Sequence, residues 1–284
     1  MSRIAATLRH CVTCPSPLRP IGWICALIGV LMTFAVGSTA EADQSRLERI
    51  QAEKRLRVCI WPDYYGISFR SPATQELRGL DIDLALELGR ELRVSTQFID
   101  SSFARLSEDV LNDRCDVAMF AVGVTAARAE RLRFTTPHLA SDIYAVTTRN
   151  HPRIAHWDDI DQPGVVVAVT KGTLQENVMH AKLRHARLLV LDSPHARENA
   201  VESGQADVFM ADYPYSMHME HDVSWARVVR PVASYHVTPY AWAIAPGDER
   251  WLERLDRFLA AIKRDGRLLT AARRHGLEPI VVTR

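Results

Sequence analysis

The sequence predicts an α/β fold made of two similarly built lobes, and three observations carry that reading. Strand-length apolar runs alternate with helical stretches from 56 to 120, the order of a parallel sheet covered on both faces. The same alternation restarts at 165 and ends near 211, without copying the first unit in sequence. One further strand and one strong amphipathic helix then remain, too little for a third unit.

Each element follows from a local pattern. Residues 43–55 are polar and charged and read as a lead-in. The run 56–61 alternates as a strand. Asp81 is placed to cap a helix over 82–92, in which Leu84, Leu88 and Leu92 share a face. Residues 94–99 read as a strand, 104–111 as a helix and 117–120 as a buried strand. In the second unit 165–169, 188–191 and 208–211 are strands, with helices over 174–183 and 196–202. Residues 240–245 give the last strand, and the helix over 251–263 carries Trp251, Leu255, Phe258, Leu259 and Ile262 as an apolar stripe that core packing explains. A strand and helix left over after a complete second unit imply a discontinuous first lobe. Lobe 1 is expected at 56–144 and 232–284, lobe 2 at 145–231, each a mostly parallel sheet flanked by helices, with two hinge crossings. Ligands of open α/β sheets lie beyond the carboxyl ends of the strands, and hinged lobes close around them.

The N-terminus bears on compartment. Arg3, Arg9 and Arg19 form a positive region ahead of an apolar run over 21–36, and Ala40-Glu41-Ala42 follows. That order is a secretory signal, with cleavage expected after Ala42 and a periplasmic mature protein. The run falls short of the roughly 20 residues of a spanning helix, which argues against an uncleaved anchor. No cysteine follows it closely, so no lipid anchor is expected. Residues 1–42 hold three of the 35 Lys+Arg and one of the 34 Asp+Glu, leaving 32 basic and 33 acidic side chains and a net charge of −1. That balance offers nothing to a nucleic acid. Cys59 and Cys115 remain after cleavage; one disulfide is open to them in an oxidising compartment, but two cysteines make no disulfide scaffold, and two free, buried thiols are expected.

Six fragments in order carry a resemblance. Gly79-Leu80-Asp81-Ile82-Asp83-Leu84 is similar to G-F-D-V-D-L, and 103–116 to a helix ending in G-x-x-D. Thr125-Ala126-Ala127-Arg128 through Phe134-Thr135-Thr136-Pro137 is similar to T-x-x-R-x-x-x-x-x-F-S-x-P-Y. Lys171-Gly172-Thr173-Leu174-Gln175-Glu176 is similar to K-G-T-T-Q-E, and Gly204-Gln205-Ala206-Asp207 with Asp212 to G-x-x-D-A and a ligand aspartate. On these motifs the chain resembles the family 3 bacterial solute-binding proteins, receptors of polar amino-acid ABC importers, over nearly all of the sequence after 42. The resemblance implies the two-lobed type II periplasmic-binding-protein fold, a monomer, a membrane ABC permease as transient partner, and no cofactor. His218 and His221 have the spacing of a metal pair, but nothing near them in sequence completes a ligand set, so surface histidines and no metal are expected.

The resemblance also implies a site. Arg128 would present its planar fork to a ligand carboxylate. Thr173, where a strand turns into a helix, would reach the same carboxylate from the other lobe with its hydroxyl and nearby N–H groups. Asp212 would accept from the ligand's α-ammonium, although it also suits a cap of the turn at Tyr213-Pro214. Trp61, Tyr64, Phe103 and Phe120 match the pocket lining, with Ala121, Gly123 and Leu174 beside the clasp.

Departures from the family narrow the ligand. Receptors for basic amino acids hold an aspartate after the first strand, where Trp61 stands; burying a second cation against Trp61 without a partner would cost several kcal/mol. The serines ahead of the arginine are Phe120, Ala121 and Gly123, which leaves backbone N–H groups as the remaining donors. A neutral, apolar or aromatic amino acid is therefore expected, with Tyr64 and Phe103 able to stack on it. A second resemblance, through 159–165 and 185–190, is to secreted cyclohexadienyl dehydratases of the same fold, which act on prephenate or arogenate. Their catalytic glutamate lies three residues past the aspartate matching Asp212; here that residue is Tyr215, with Glu176 the nearest substitute carboxylate. Binding is accordingly expected over catalysis. A receptor presenting ligand to a sensor is the third class considered; the sensor module itself is disfavoured because the sequence stops at Arg284.

Overall fold

The computed structural model describes residues 45–193 and 195–283. The expected signal segment and its cleavage point lie outside the described residues.

Two sheets organise the molecule. In the first, Arg55–Ile60 pairs in parallel with Ser95–Asp100 on one side and Val117–Gly123 on the other. Thr238–Ile244 runs antiparallel to Val117–Gly123 and also pairs with the short strands Arg133–Phe134 and Leu139–Ser141. The second sheet repeats the plan. Val166–Thr170 lies parallel between Arg187–Leu191 and Val208–Asp212, and Ile143–Thr148 runs antiparallel to both Val208–Asp212 and Ala226–Val229. Each sheet is thus mixed: a parallel trio, which the sequence rhythm gives, extended by antiparallel strands next to the crossings. A small sheet of Asp63–Tyr64, Ser68–Arg70 and Leu77–Arg78 completes the strands.

The helices take their places by the faces they bury. In Glu249–Arg264 the five stripe residues are all fully buried, and Phe258 stacks on Trp242 with ring centroids 6.0 Å apart. Burying one such side chain contributes about 1.5–3 kcal/mol. Asp248 caps this helix, accepting from the Trp251 amide at 2.9 Å. In the second sheet the period of two divides the core. Val167 and Val169 join one apolar cluster with Leu174 and Met179, while Ala168 faces the other with Phe209 and Tyr215.

Three local readings change. Asp81 is not a cap of its helix, which runs Leu80–Leu92 with Gly79 at the cap position. It is wholly buried, accepting from the Ala121 amide at 2.8 Å and Trp242 Nε1 at 2.9 Å, with His138 Nε2 at 3.1 Å. The polar lead-in holds a helix, Arg46–Glu53, whose one buried residue is Ile50. Ion pairs dock it: Arg46 and Arg49 reach Asp113 and Asp116, and Arg57 on the adjoining strand joins them. Cys59 and Cys115, expected as free thiols, form a disulfide across 5.5 Å between Cα atoms. Cys59 sits on the central strand and Cys115 just before its parallel neighbour, so the register brings two residues 56 apart in sequence side by side.

The chain passes between the sheets twice. Leu139–Ser141 belongs to the first sheet and Ile143–Thr148 to the second, so the first passage is at Asp142. The return lies between Ala226–Val229 and Thr238–Ile244. Asp142 ties the two passages together, its carboxylate accepting from the amides of Tyr235 and His236 at 2.8 and 2.7 Å.

Candidate functional site in the cleft between the sheets

The strand ends of both sheets meet at a cleft. Val117–Gly123 delivers Ala121 and Gly123 to its wall. Ala121 takes φ +48°, a left-handed conformation uncommon for a residue with a side chain, and Asp81 holds its amide there. That amide is therefore occupied and is not a free donor to a ligand.

Arg128 enters from the one-turn helix Ala126–Ala129, capped by Thr125. Its guanidinium donates from Nη1 to the Gly123 carbonyl at 2.9 Å and from Nη2 to the Gly172 carbonyl at 3.0 Å. The first partner belongs to the first sheet's strand and the second to the loop following a strand of the second sheet. Its cation lies 5.5 Å from the Phe103 ring centre. Among the described residues no carboxylate pairs with it, and burial pushes its pKa below the ordinary arginine value. The half-buried guanidinium thus rests on carbonyl dipoles and a ring face, weaker partners than an anion.

Thr173 caps the helix Leu174–Lys182, accepting from the Glu176 amide at 3.4 Å and donating its hydroxyl proton to the Thr170 carbonyl at 2.6 Å. The hydroxyl has one proton to give, so in this state its donor is used. The first turn of that helix, with Leu174 and Gln175, forms the cleft wall. Gly172 takes φ +77°, and a Cβ placed on it would lie 2.6 Å from the Ala104 Cα of the opposite lobe. Only glycine allows so close an approach of the two backbones.

Asp212 ends the strand Val208–Asp212 and is 4% exposed. One oxygen caps the following helix through the Tyr215 amide, and the other accepts from the hydroxyls of Tyr64 and Tyr240. Burial raises its pKa, and the two tyrosine hydroxyls work against that rise. Both roles considered for Asp212, cap and cleft acceptor, are thus available to one carboxylate.

Trp61, Tyr64 and Phe103 form an aromatic wall in mutual contact, with ring centroids 5.2–5.9 Å apart. Phe120 differs from its companions: it is fully buried behind that wall, edge-on to Phe103 at 5.1 Å, and does not line the cleft. Strand alternation turns 121 and 123 toward the cleft and 120 away. The structure thus brings together Arg128, Thr173, Asp212, Trp61, Tyr64, Phe103, Ala121, Gly123 and Leu174. It adds Gln175, Arg197, Tyr215 and Tyr240. Arg197 carried a usable signal, since it precedes the buried Ala200 and Val201 by three and four residues and so shares their helix face.

The lobes are closed on each other. The inner cleft keeps about 20 Å³ of free volume, room for roughly one water. Trp61, Phe103, Arg197 and Tyr215 also border a second, outer chamber of about 300 Å³. On its walls Asp63 from the first lobe faces Arg197 and Glu198 from the second. Arg197 is paired, Nε to Glu198 Oε1 at 2.7 Å, and its cation lies 4.1 Å from the Tyr215 ring centre.

With this geometry the family can be named from a match to its model over residues 56–278. The chain belongs to the bacterial extracellular solute-binding proteins, family 3. It is 28% identical over 250 residues to a cyclohexadienyl dehydratase of Pseudomonas aeruginosa, covering 87% of this chain and 91% of that one. It is 22% identical over 213 residues to ABC transporter arginine-binding protein 1 of Escherichia coli, covering 71% and 85%. Among solved structures it is similar to an ancestral amino acid-binding protein described as a precursor of cyclohexadienyl dehydratase, with TM-score 0.75, 25% identity and coverage of 81% and 99%. An arginine-bound amino acid ABC transporter substrate-binding protein of Streptococcus pneumoniae shares the fold, with TM-score 0.74, 21% identity and coverage of 82% and 99%. The two-lobed α/β architecture of the solute-binding proteins is therefore the architecture of this chain.

Proposed function

We propose that this solute-binding protein closes on the carboxylate of a small amino-acid ligand and delivers it, as a monomer, to a membrane ABC permease from the periplasm. Arg128 carries the proposal: it is half-buried, bridges carbonyls of both lobes, and lacks a carboxylate partner among the described residues. The ligand carboxylate takes the place of those carbonyls on the guanidinium fork, with N–H groups of the first turn after Thr173 on its other side. Asp212 receives the α-ammonium once Tyr64 or Tyr240 releases it. Trp61, Tyr64 and Phe103 separate to admit the ligand's apolar or aromatic body.

The likeness to cyclohexadienyl dehydratase supports a second reading, in which the same cleft is catalytic. Two observations favour binding. Tyr215 stands where that resemblance implies a glutamate, and burial pushes its phenol well above the ordinary tyrosine range, which suits it poorly as a proton donor. Glu176 is used elsewhere, accepting from the Gly172 amide at 2.6 Å.

A thermal-shift screen of amino acids, simple carboxylates and prephenate separates the readings. A ligand at about 100 times its Kd stabilises the fold by about 2.7 kcal/mol. The proposal expects a shift from at least one α-amino acid, lost in Arg128→Ala, and no phenylpyruvate absorbance from prephenate. Shifts confined to carboxylates without an amine would remove the role of Asp212, and turnover of prephenate would replace the proposal with the second reading.

A further inference from the structure

The two lobes also meet outside the cleft, at an aromatic contact that the carboxylate clasp does not use. Consecutive tyrosines on the small sheet take different partners. Tyr64 lines the cleft, while Tyr65, in the turn between Asp63–Tyr64 and Ser68–Arg70, reaches the second lobe. Its ring lies flat on His218 of the helix Tyr213–Asp222, with centroids 3.4 Å apart and planes 11° apart. It also meets Tyr215 edge-on at 5.7 Å and packs against the second lobe's apolar cluster around Phe209 and Met219. Phe69 stacks on Tyr65 as well, at 4.1 Å; two rings stacked this closely cannot share one face, so Tyr65 is held between Phe69 and His218. On the far side Asp222, one helical turn on, accepts from His218 Nδ1 at 2.8 Å and fixes the imidazole plane. In sequence His218 reads as a surface histidine; this contact leaves it half-buried.

Neither Tyr65 nor His218 borders the inner cleft or the outer chamber. Each belongs firmly to its own lobe. The turn that carries Tyr65 is tied to the first lobe's helix Leu80–Leu92, whose Leu80 and Asp81 amides donate to the Gly66 and Ile67 carbonyls at 2.8 and 3.0 Å. His218 lies on the helix that follows the second sheet's strand Val208–Asp212. Opening at the two chain passages therefore parts these rings. We propose that Tyr65 and His218 form a latch between the lobes that sets the closed share of the protein independently of ligand, with Phe69 and Asp222 as positioning residues on either side. A close aromatic pair favours the state that makes it by a fewfold to about tenfold beyond its area burial. A ligand that binds the closed form gains in apparent affinity in proportion to that closed share. The latch adds to the proposed function without resting on it, since none of its contacts involves Arg128 or Asp212.

Double electron–electron resonance reads the closed share directly, with one spin label on an exposed position of each lobe, away from the stack, and no ligand added. The Cys59–Cys115 disulfide keeps the native sulfurs from the label. Tyr65→Ala and His218→Ala should each move the distance distribution toward the open form, lowering the closed-to-open ratio by roughly threefold or more. The double variant should go little further than Tyr65→Ala, because one contact is lost in both. Tyr65→Phe keeps the ring and should keep the wild-type distribution. His218→Ala acts from the other lobe, so a matching shift there separates the latch from a local loss of fold in the small sheet. For any amino acid that binds, Kd should rise by the same factor in the two alanine variants and hold in Tyr65→Phe. Distributions unchanged from the wild type in both alanine variants would overturn the latch. So would an equal shift in Tyr65→Phe, or shifts that simply add in the double variant. The distance readout uses no ligand, so its failure strikes the latch, whereas a failed amino-acid screen strikes the clasp.

Discussion

Two arginines face the same cleft, Arg197 buried and Arg128 half-buried, and they are in opposite electrostatic situations. Arg197 has its counter-ion inside the chain: Glu198 binds it, and that pairing lifts its pKa despite the opposing effect of burial. Arg128 has carbonyls and a ring, and burial lowers its pKa. A neutralised arginine is part of the wall. In the proposed function the Arg128 fork receives a carboxylate from outside, and its lobe-spanning position would make that charge the link between open and closed states.

Substitution separates the two roles. Removing Arg197 leaves Glu198 buried and unpaired, so Arg197→Ala is expected to lower stability by about 3–5 kcal/mol, read in urea unfolding. Arg128→Ala removes a half-buried cation that has no carboxylate partner among the described residues; its unfolding midpoint should hold or rise, while ligand affinity falls by about 2–5 kcal/mol. A destabilised Arg128→Ala would erase the contrast.

Gly172 sharpens the comparison by acting on closure alone. An alanine there meets the Ala104 backbone only when the lobes are shut, and φ +77° adds strain. Gly172→Ala should weaken ligand binding about tenfold or more, with scattering in the presence of ligand showing the wider, open molecule. Unchanged affinity would mean that the two backbones can part without opening the cleft.

Acid provides the smallest contrast. The Arg197 partnership and its other bonds outweigh burial and hold the Glu198 carboxyl below its ordinary range, so its contribution to stability is present above about pH 4.5 and lost as pH falls through the lowered value. Burial holds the Asp212 carboxyl above its ordinary range. The folded protein therefore takes up that proton more readily than the unfolded chain; Asp212 costs stability near neutrality, and the cost is gone below about pH 3.8. Melting curves from pH 3 to 7 should show the deficit of Glu198→Gln closing toward acid. Asp212→Asn should instead lose ground relative to the wild type over the same range.

The parts of this account that were legible in the sequence are those with local periodicity. The parallel trios and the stripe of Glu249–Arg264 follow from spacing alone, and Arg128 and Thr173 from short motifs. The antiparallel strands Ile143–Thr148 and Ala226–Val229 were missed because they follow the passages between sheets, where neighbours are set by topology rather than by the next residues in the chain. Tyr240 reaches Asp212 for the same reason, since the chain returns to the first sheet only at Thr238–Ile244. Asp81 looks like a cap in sequence, and only the packed fold shows Ala121, His138 and Trp242 converging on it. The disulfide also needed register, because nothing about two cysteines 56 residues apart says that one lies on a strand and the other at the start of its parallel neighbour.

The central claim is that Arg128 binds a carboxylate. It is tested most directly by thermal shift with the common amino acids set against their primary carboxamides, which keep the α-ammonium and side chain and lose the anion. The account predicts that any amino acid that stabilises the wild-type protein does so as the acid and not as the amide, and that Arg128→Ala responds to neither. Equal shifts from acid and amide, or an acid shift that survives Arg128→Ala, would contradict it.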